Sequence, residues 1–202
     1  MNRKNIAIAG IIICCIYFAT VVFFILSGSQ NWLIIFEVVT MISGLYFIFL
    51  ILVLPLSDNE KKKIYKILAI VFVSALMIFT NIVHITNLMI LRLTNNGVII
   101  PEYFQLGKNP SVITIVEYSG WGIFLGLAFL FSSIGIENDK ILKPLKITLF
   151  ICAMLCFTGF LGSIINEHLW YIASLGYGIG TLVICTEMII IDRKERNKND
   201  KA

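Results

Sequence analysis

Apolar residues follow one another in long runs along the chain, and short polar segments separate the runs. An α-helix rises 1.5 Å per residue, so about 20 mostly apolar residues cross the roughly 30 Å of hydrocarbon in a bilayer. Strands of a membrane barrel would instead alternate polar and apolar residues in segments of about ten. The pattern predicts an all-α membrane protein, a single transmembrane domain over residues 1–202 built as a six-helix bundle. The six predicted spans are Ile6–Leu26, Trp32–Leu54, Ile64–Leu91, Val112–Ile136, Ile147–Ile165 and Leu169–Ile191.

Composition supports the same fold class. Of the 202 residues, 58% are hydrophobic and 14% are charged, and the mean hydropathy is +0.92. Soluble domains carry about a quarter charged residues, so this chain has too few to cover a water-exposed surface. We therefore exclude a soluble enzyme, a disordered chain and a disulfide scaffold, and expect the lipid bilayer as the principal partner.

The lysines and arginines are distributed unevenly between the two sides of the predicted bundle. The N-terminus, the loops after the second and fourth spans, and the C-terminal segment hold 14 of them, whereas the other three loops hold 2. Cytoplasmic loops carry the excess of basic residues, so both termini are predicted in the cytoplasm of a bacterial plasma membrane protein. Residues 192–202 form a basic cytoplasmic tail that suits anionic lipid. This asymmetry accounts for the net charge of +4, and no nucleic-acid partner is predicted.

The first span has an alternative interpretation as a cleaved signal peptide, because a basic start precedes an apolar run. Its apolar stretch of about 21 residues is longer than the usual 7–15, which favours a retained helix. Ser27-Gly28-Ser29 provides small residues for a cleavage site, so the alternative stays open.

Ionisable side chains within the spans are the candidate functional residues, since they are costly in lipid and normally face the bundle interior. At 1.5 Å per residue, Glu37 and Glu117 each lie about 8 Å below the outer ends of their spans, and His84 lies about 12 Å below Arg92. The topology therefore predicts one polar layer in the outer half of the membrane. Its residues are Glu37, Asn81, His84, Asn87 and Glu117, with His168 as a further candidate.

The third span supports this layer, because Asn81, His84 and Asn87 recur every three residues and Thr80 precedes His84 by one turn. Such a face would leave donors unpaired against lipid tails, so we expect it to turn inward towards the two glutamates. A carboxylate beside a histidine shares a proton, which predicts a ligand- or proton-binding site that opens outward. Two alternatives are hydrogen bonds that merely join helices and a zinc ion held by Glu37, His84 and Glu117. No helical His-x-x-x-His pair supports the metal, and neither metal nor cofactor is predicted.

Small and aromatic residues carry further expectations. The pairs Gly122 with Gly126 and Gly176 with Gly180, together with Gly159 and Gly162, predict close packing of the last three spans. Gly120-Trp121-Gly122 is echoed by Gly176-Tyr177-Gly178, which suggests a two-helix hairpin repeated in one orientation. Tyr17 is assigned to an interfacial aromatic belt.

Several short motifs carry a family resemblance. They are Asn2-Arg3-Lys4, Val116-Glu117-Tyr118, Trp121-Gly122 and Leu175-Gly176-Tyr177-Gly178. On these the chain resembles a diffuse group of uncharacterised bacterial six-span membrane proteins. The resemblance implies the six-span fold and brings no activity or site residues.

The sequence favours a protein that binds or transports a small solute or ion, with the glutamates and histidine exchanging protons. A second hypothesis is a non-enzymatic accessory, sensory or immunity subunit, which acts through an oligomer or a partner protein. A third is an intramembrane enzyme acting on lipid; the sequence leans away from it because no nucleophile motif or His-Glu-x-x-His pair is present.

Overall fold

The computed structural model describes residues 2–57, 59–108 and 110–199. Within these ranges the chain is helical and contains six helices that are long and apolar enough to cross a membrane, as predicted. The helices are α1 (Arg3–Ser27), α2 (Gln30–Val53), α3 (Glu60–Asn95), α4 (Val112–Gly135), α5 (Lys143–Ile165) and α6, which runs through Glu167–Trp170, Tyr171–Ser174, Leu175–Ile179 and Gly180–Asn199. A short 3₁₀ turn, Glu102–Phe104, lies between α3 and α4.

Two helices extend well beyond their predicted spans. Helix α3 has 36 residues and begins with Glu60, whose carboxylate is favourable in a first turn near the helix N-terminus. Helix α6 continues through most of the predicted tail, where Asp192 and Arg196 pair at 2.9 Å one turn apart. The tail is therefore helical to Asn199, and its residues 200–202 lie outside the described part.

The six helices form a ring. Each helix packs against the next along the chain, and α6 returns to pack against α1. Leu50, Leu125, Phe129 and Met188 are fully buried inside the ring. The outward surface is apolar as well, with side chains such as Ile12 about half exposed, as expected for helices that face lipid tails.

Turns at the two ends of the bundle are built differently. Between α1 and α2, Gly28 adopts φ 58° and donates its N–H to the carbonyl of Phe24 at 2.9 Å, which ends α1 abruptly. At the opposite end, Ser57 Oγ donates to Glu137 Oε1 at 2.7 Å and Lys62 Nζ donates to the Ile136 carbonyl at 3.0 Å. These bonds tie the α2–α3 and α4–α5 loops together.

Helices α4 and α6 each contain one turn of π-helix, over Ser119–Phe124 and Leu175–Ile179. These turns coincide with the two glycine–aromatic–glycine motifs, and a π turn takes in one residue more than an α turn. The rings of Trp121 and Tyr177 meet between them, 4.9 Å apart. The matching conformations agree with the hairpin-repeat hypothesis, which stays a prediction.

Glycines bring α5 and α6 close together, as the sequence predicts. A Cβ added to Gly159 would lie 2.3 Å from the backbone nitrogen of Ala173, and one added to Gly162 would lie 2.7 Å from the Cβ of Leu169. Gly122 and Gly126 of α4 instead accommodate the rings of Phe160 and Phe157. The α5–α6 contact is therefore the closer backbone approach.

Candidate functional site

Helix α3 presents the central residue of the candidate site, His84, which is 1% exposed. The ring Nδ1 is hydrogen-bonded to Glu37 Oε2 of α2, and Nε2 lies 3.1 Å from Glu117 Oε1 of α4. Both ring nitrogens therefore contact a carboxylate, and the bonds join three neighbouring helices. We call Glu37, His84 and Glu117, together with Asn87, the acid–histidine cluster.

Asn87 completes the contacts of Glu37. Its Nδ2 donates to Glu37 Oε1 at 2.6 Å, so each carboxylate oxygen of Glu37 has a partner. Glu37 is 1% exposed and lies about two turns inside the start of α2. Four of the five candidate residues from the sequence are therefore in contact, namely Glu37, His84, Asn87 and Glu117. Their role as a binding site stays a prediction.

Asn81 and His168 lie outside the cluster. Asn81 Nδ2 donates at 2.7 Å to the carbonyl of Met77 in its own helix, one turn earlier. His168 is exposed in the 3₁₀ turn that begins α6, where its backbone N–H donates to Asn166 Oδ1 at 3.0 Å. The expectation that these two residues join the polar layer is not met by these contacts.

Two polar atoms near the cluster have no hydrogen-bond partner among the described residues. They are Glu117 Oε2 and Thr80 Oγ1, both buried. Thr80 lies one turn from His84 on the same face of α3, and its Oγ1 would be 3.9 Å from a Cβ placed on Gly120, three residues after Glu117. Buried acceptors and hydroxyls normally find partners, so this side of the cluster retains unused hydrogen-bonding capacity.

Aromatic rings cover the cluster from the α1 side. The Phe36 ring meets His84 edge-on at 6.3 Å, and Tyr17 of α1 lies 5.5 Å from Phe36. Tyr17 lies ten residues, about 15 Å, before the end of α1 and packs on Phe36, and its assignment to an interfacial belt stays a prediction. Phe36 is apolar, and the sequence analysis does not identify it as part of the site. Its position next to Glu37 is the signal that could have indicated its place beside the cluster.

Full ionisation of the cluster would leave its charges unbalanced. An ionised carboxylate only accepts hydrogen bonds, so a doubly protonated His84 satisfies both of its contacts and carries one positive charge. Two ionised glutamates then leave a net charge of −1, which is costly to hold away from water. One additional proton or one monovalent cation neutralises the cluster.

A metal role has no geometric support. Among the described residues, no group of three or more histidine, cysteine or acidic side chains is arranged to hold a metal ion. Each nitrogen of His84 already faces a carboxylate oxygen.

Two cavities flank the cluster. An outer groove of about 490 Å³ lies beneath the α3–α4 loop, and Asn87 is part of its wall together with Ile90, Leu91 and Thr94. Inward of Tyr17, a crevice of about 30 Å³ lies among Ser43, Tyr46, Trp121 and Tyr177. It has room for roughly one or two water molecules. The cavity beside the α3–α4 loop is therefore the larger of the two.

Tyr46, which lines the crevice, makes two polar contacts across the bundle. The Tyr46 hydroxyl lies 3.2 Å from Cys185 Sγ and donates to the Ile6 carbonyl at 3.3 Å. These residues belong to α2, α6 and α1, so the bonds close the bundle below the crevice.

No protein-family model matches the chain, and neither a curated protein nor a solved structure matches it.

Proposed function

We propose that the six helices cross a bacterial plasma membrane with both termini in the cytoplasm. The length and hydropathy of the helices support insertion, and the 14-to-2 distribution of basic residues supports the orientation. A membrane-impermeant maleimide should label Asn96→Cys in intact cells and Lys140→Cys after lysis. The reverse pattern would overturn the orientation.

We further propose that the protein binds or transports a small solute or ion and exchanges protons through the acid–histidine cluster. The observation that carries this proposal is the buried His84 held between two carboxylates. A cluster with two acids and one base is neutral only when it holds an extra proton or a cation, so binding of a cation releases a proton. Competition of this kind couples the movement of the two species.

The two cavities support access from the outer side. Asn87 lines the outer groove and contacts Glu37, so a change in its position connects the groove with the cluster. The crevice on the inner side is much smaller and ends at the bonds of Tyr46. This arrangement suits a state in which the site exchanges with the outer side while the inner route is closed.

The experiment measures proton movement in liposomes of phosphatidylethanolamine and phosphatidylglycerol that contain a pH-sensitive dye. A potassium gradient with valinomycin supplies the driving force, and the external cation is sodium or choline. We expect the wild-type protein to move protons faster than protein-free vesicles, with a rate that depends on the cation. Glu37→Gln and Glu117→Gln should reduce the rate to that of protein-free vesicles, because each removes one exchangeable site.

Glu60→Gln is the matched control, since it makes the same chemical change at a side chain that is 87% exposed. It should retain the wild-type rate. A wild-type rate equal to that of protein-free vesicles under both cations would contradict the transport proposal. Equal loss in all three variants would show that the cluster has no special role.

A second candidate function is a non-enzymatic accessory, sensory or immunity subunit, and the α3–α4 loop favours it. This loop exposes apolar side chains at the outer end of the bundle: Ile99 is 93% exposed, and Tyr103 and Phe104 are about half exposed. Exposed apolar patches mark interaction surfaces. Under this alternative, Glu37→Gln and Glu117→Gln leave the biological activity unchanged, whereas Ile99→Ser abolishes it.

A further inference from the structure

A groove opens between α4 and α5 at the end of the bundle that holds most of the basic residues. Its volume is about 700 Å³, the largest of the cavities described above. Ser133 and Ile134 of α4 form one wall, Ile147 and Phe150 of α5 form the other, and residues 138–140 of the connecting loop lie above. Ser133 Oγ donates to the Lys146 carbonyl at 2.9 Å, which fixes the two walls relative to each other.

The upper part of the groove is positively charged. Lys140, Lys143 and Lys146 line it, against one acid, Asp139. Asp139 is engaged with the loop, because its Oδ1 accepts from the Ile141 N–H at 3.0 Å. Lys146 Nζ donates to Asn138 Oδ1 at 2.6 Å, and neither Lys140 nor Lys143 forms an ion pair within the described part of the chain. The groove therefore presents three lysines against one acid, and none of the three forms an ion pair among the residues that the structure describes.

The lower part of the groove is apolar and open to the outside of the bundle. Ile134, Ile147 and Phe150 are 38%, 48% and 47% exposed. They lie within one to two turns of the lysines, so the cationic and apolar parts form one continuous surface. An anion in water would use only the lysines. A molecule with a phosphate at one end and a hydrocarbon chain at the other would use the whole groove.

The two grooves at the opposite end lack this charge. The groove beside Asn87 is lined by uncharged residues among those described, and a third groove, between α4 and α5, contains one lysine and one glutamate, Lys108 and Glu167. Anionic phospholipids are enriched in the cytoplasmic leaflet, and lysines near that surface are attracted to it. The charge difference between the ends thus matches the difference between the leaflets.

We propose that the α4–α5 groove is a binding site for an anionic phospholipid, with the phosphate at Lys140, Lys143 and Lys146 and an acyl chain along Ile147 and Phe150. This proposal rests on the membrane insertion proposed above. It does not depend on the proton chemistry of the acid–histidine cluster, which lies in the opposite half of the bundle.

Native mass spectrometry of the full chain in detergent tests the proposal by titration with palmitoyl-oleoyl phosphatidylglycerol or phosphatidylcholine. The test variant is Lys140→Gln with Lys143→Gln and Lys146→Gln. The matched control, Arg193→Gln with Lys194→Gln and Lys198→Gln, removes the same charge from the exposed face of α6. Thermal unfolding of each variant confirms that the comparison is made on folded protein.

We expect wild type and the α6 control to bind phosphatidylglycerol more tightly than phosphatidylcholine, and the groove variant to lose about tenfold or more in phosphatidylglycerol affinity. Phe150→Asn should weaken the binding of phosphatidylglycerol without changing the net charge of the protein. Equal loss in the two triple variants would overturn the site, because general basic charge would then explain the binding. Displacement of the lipid by millimolar glycerol 3-phosphate would assign the groove to a soluble anion and also overturn the proposal.

The same titration separates this proposal from the one on which it rests. A protein that is embedded in lipid takes up phosphatidylcholine around its helices whether or not the groove is specific. Normal phosphatidylcholine uptake with no phosphatidylglycerol preference would therefore reject the groove alone, whereas absence of both would reject membrane insertion.

Discussion

Helices α2, α3 and α4 are joined by a different chemistry from helices α5 and α6. In the first set, which we call the polar interface, His84 bonds to Glu37 and Glu117 across two helix contacts. In the second, the glycine interface, Gly159 and Gly162 let α6 approach α5 at Ala173 and Leu169. The polar interface buries ionisable side chains, whereas the glycine interface brings two helix backbones into close contact.

The difference bears on function because the two chemistries have different costs. Close packing of small residues stabilises helix pairs in lipid through van der Waals contact and carries no desolvation penalty. A buried set of ion pairs pays such a penalty, and apolar side chains of similar volume often stabilise a protein as well or better. Stability alone therefore explains the glycine interface, whereas the cost of the polar interface is one of the grounds for the proton exchange proposed above.

The largest effect is expected when the polar interface loses its base. His84→Leu leaves Glu37 and Glu117 buried without a cationic partner, which should lower the free energy of unfolding by about 3–5 kcal/mol. Reversible unfolding in mixed micelles measures the change. A loss below about 1 kcal/mol would mean that the carboxylates are not held together by His84.

A companion variant separates stability from function at the same place. Replacing Glu37, His84 and Glu117 together by leucine removes all the buried charge, so most of the lost stability should return. Proton movement in liposomes should remain absent. Recovery of both properties would show that the polar interface only joins helices.

A methyl group added at the glycine interface is expected to force α5 and α6 apart, because no space is left for it there. Gly159→Ala places a Cβ 2.3 Å from the backbone nitrogen of Ala173, which cannot move without separating the helices. We expect a loss of about 2–3 kcal/mol in the free energy of unfolding, the upper range for overpacking. The same unfolding assay measures it.

Gly44→Ala is the matched control in a helix interior. Its added Cβ would lie 3.5 Å from Thr80, at ordinary contact distance, and alanine favours a helix over glycine by up to about 1 kcal/mol. This variant should equal or exceed wild type in stability. Equal destabilisation by both substitutions would indicate a general effect of losing glycine rather than the close α5–α6 approach.

Run length and depth explain why much of this arrangement is predictable from the sequence. Long apolar runs identify all six helices, and a rise of 1.5 Å per residue places Glu37, His84 and Glu117 at a common depth. Depth says nothing about which way a side chain points around its helix. The contact between these residues depends on rotation, which the ring of helices determines.

Other features depend on interactions that one helix does not encode. The π turn at Trp121 packs mainly against α3 and α5, while the local hydrophobic pattern fits an ordinary α-helix equally well. Tyr17 is amphipathic, which predicts a membrane interface, but its contact with Phe36 of α2 depends on helix packing that the sequence of α1 does not encode. The extension of α6 depends on polar residues such as Asp192 and Arg196, which a search for apolar runs passes over.

Asn81 shows most clearly that spacing along the sequence does not determine which way a side chain faces around its helix. Residues in an α-helix are separated by about 100°, so a repeat of three falls about 60° short of a full turn at each step. Asn81 and Asn87 are therefore about 120° apart around α3, and they cannot both face Glu37. Thr80, four residues before His84, stays within about 40° of it.

The smallest expected effect on the free energy of unfolding comes from replacing the two asparagines, Asn87 and Asn81, one at a time. Asn87→Ala removes a donor from a buried carboxylate oxygen of Glu37, which should lower stability by about 1–2 kcal/mol. Asn81→Ala removes a bond to the backbone of its own helix, and the carbonyl of Met77 still accepts within the helix. Alanine also has the higher helix propensity, so this variant should lie within about 0.5 kcal/mol of wild type. Because both changes are identical in chemistry and lie six residues apart on one helix, unfolding of the two variants compares the faces of α3 directly. A larger loss for Asn81→Ala would mean that α3 is rotated from the orientation that brings His84 between the two glutamates.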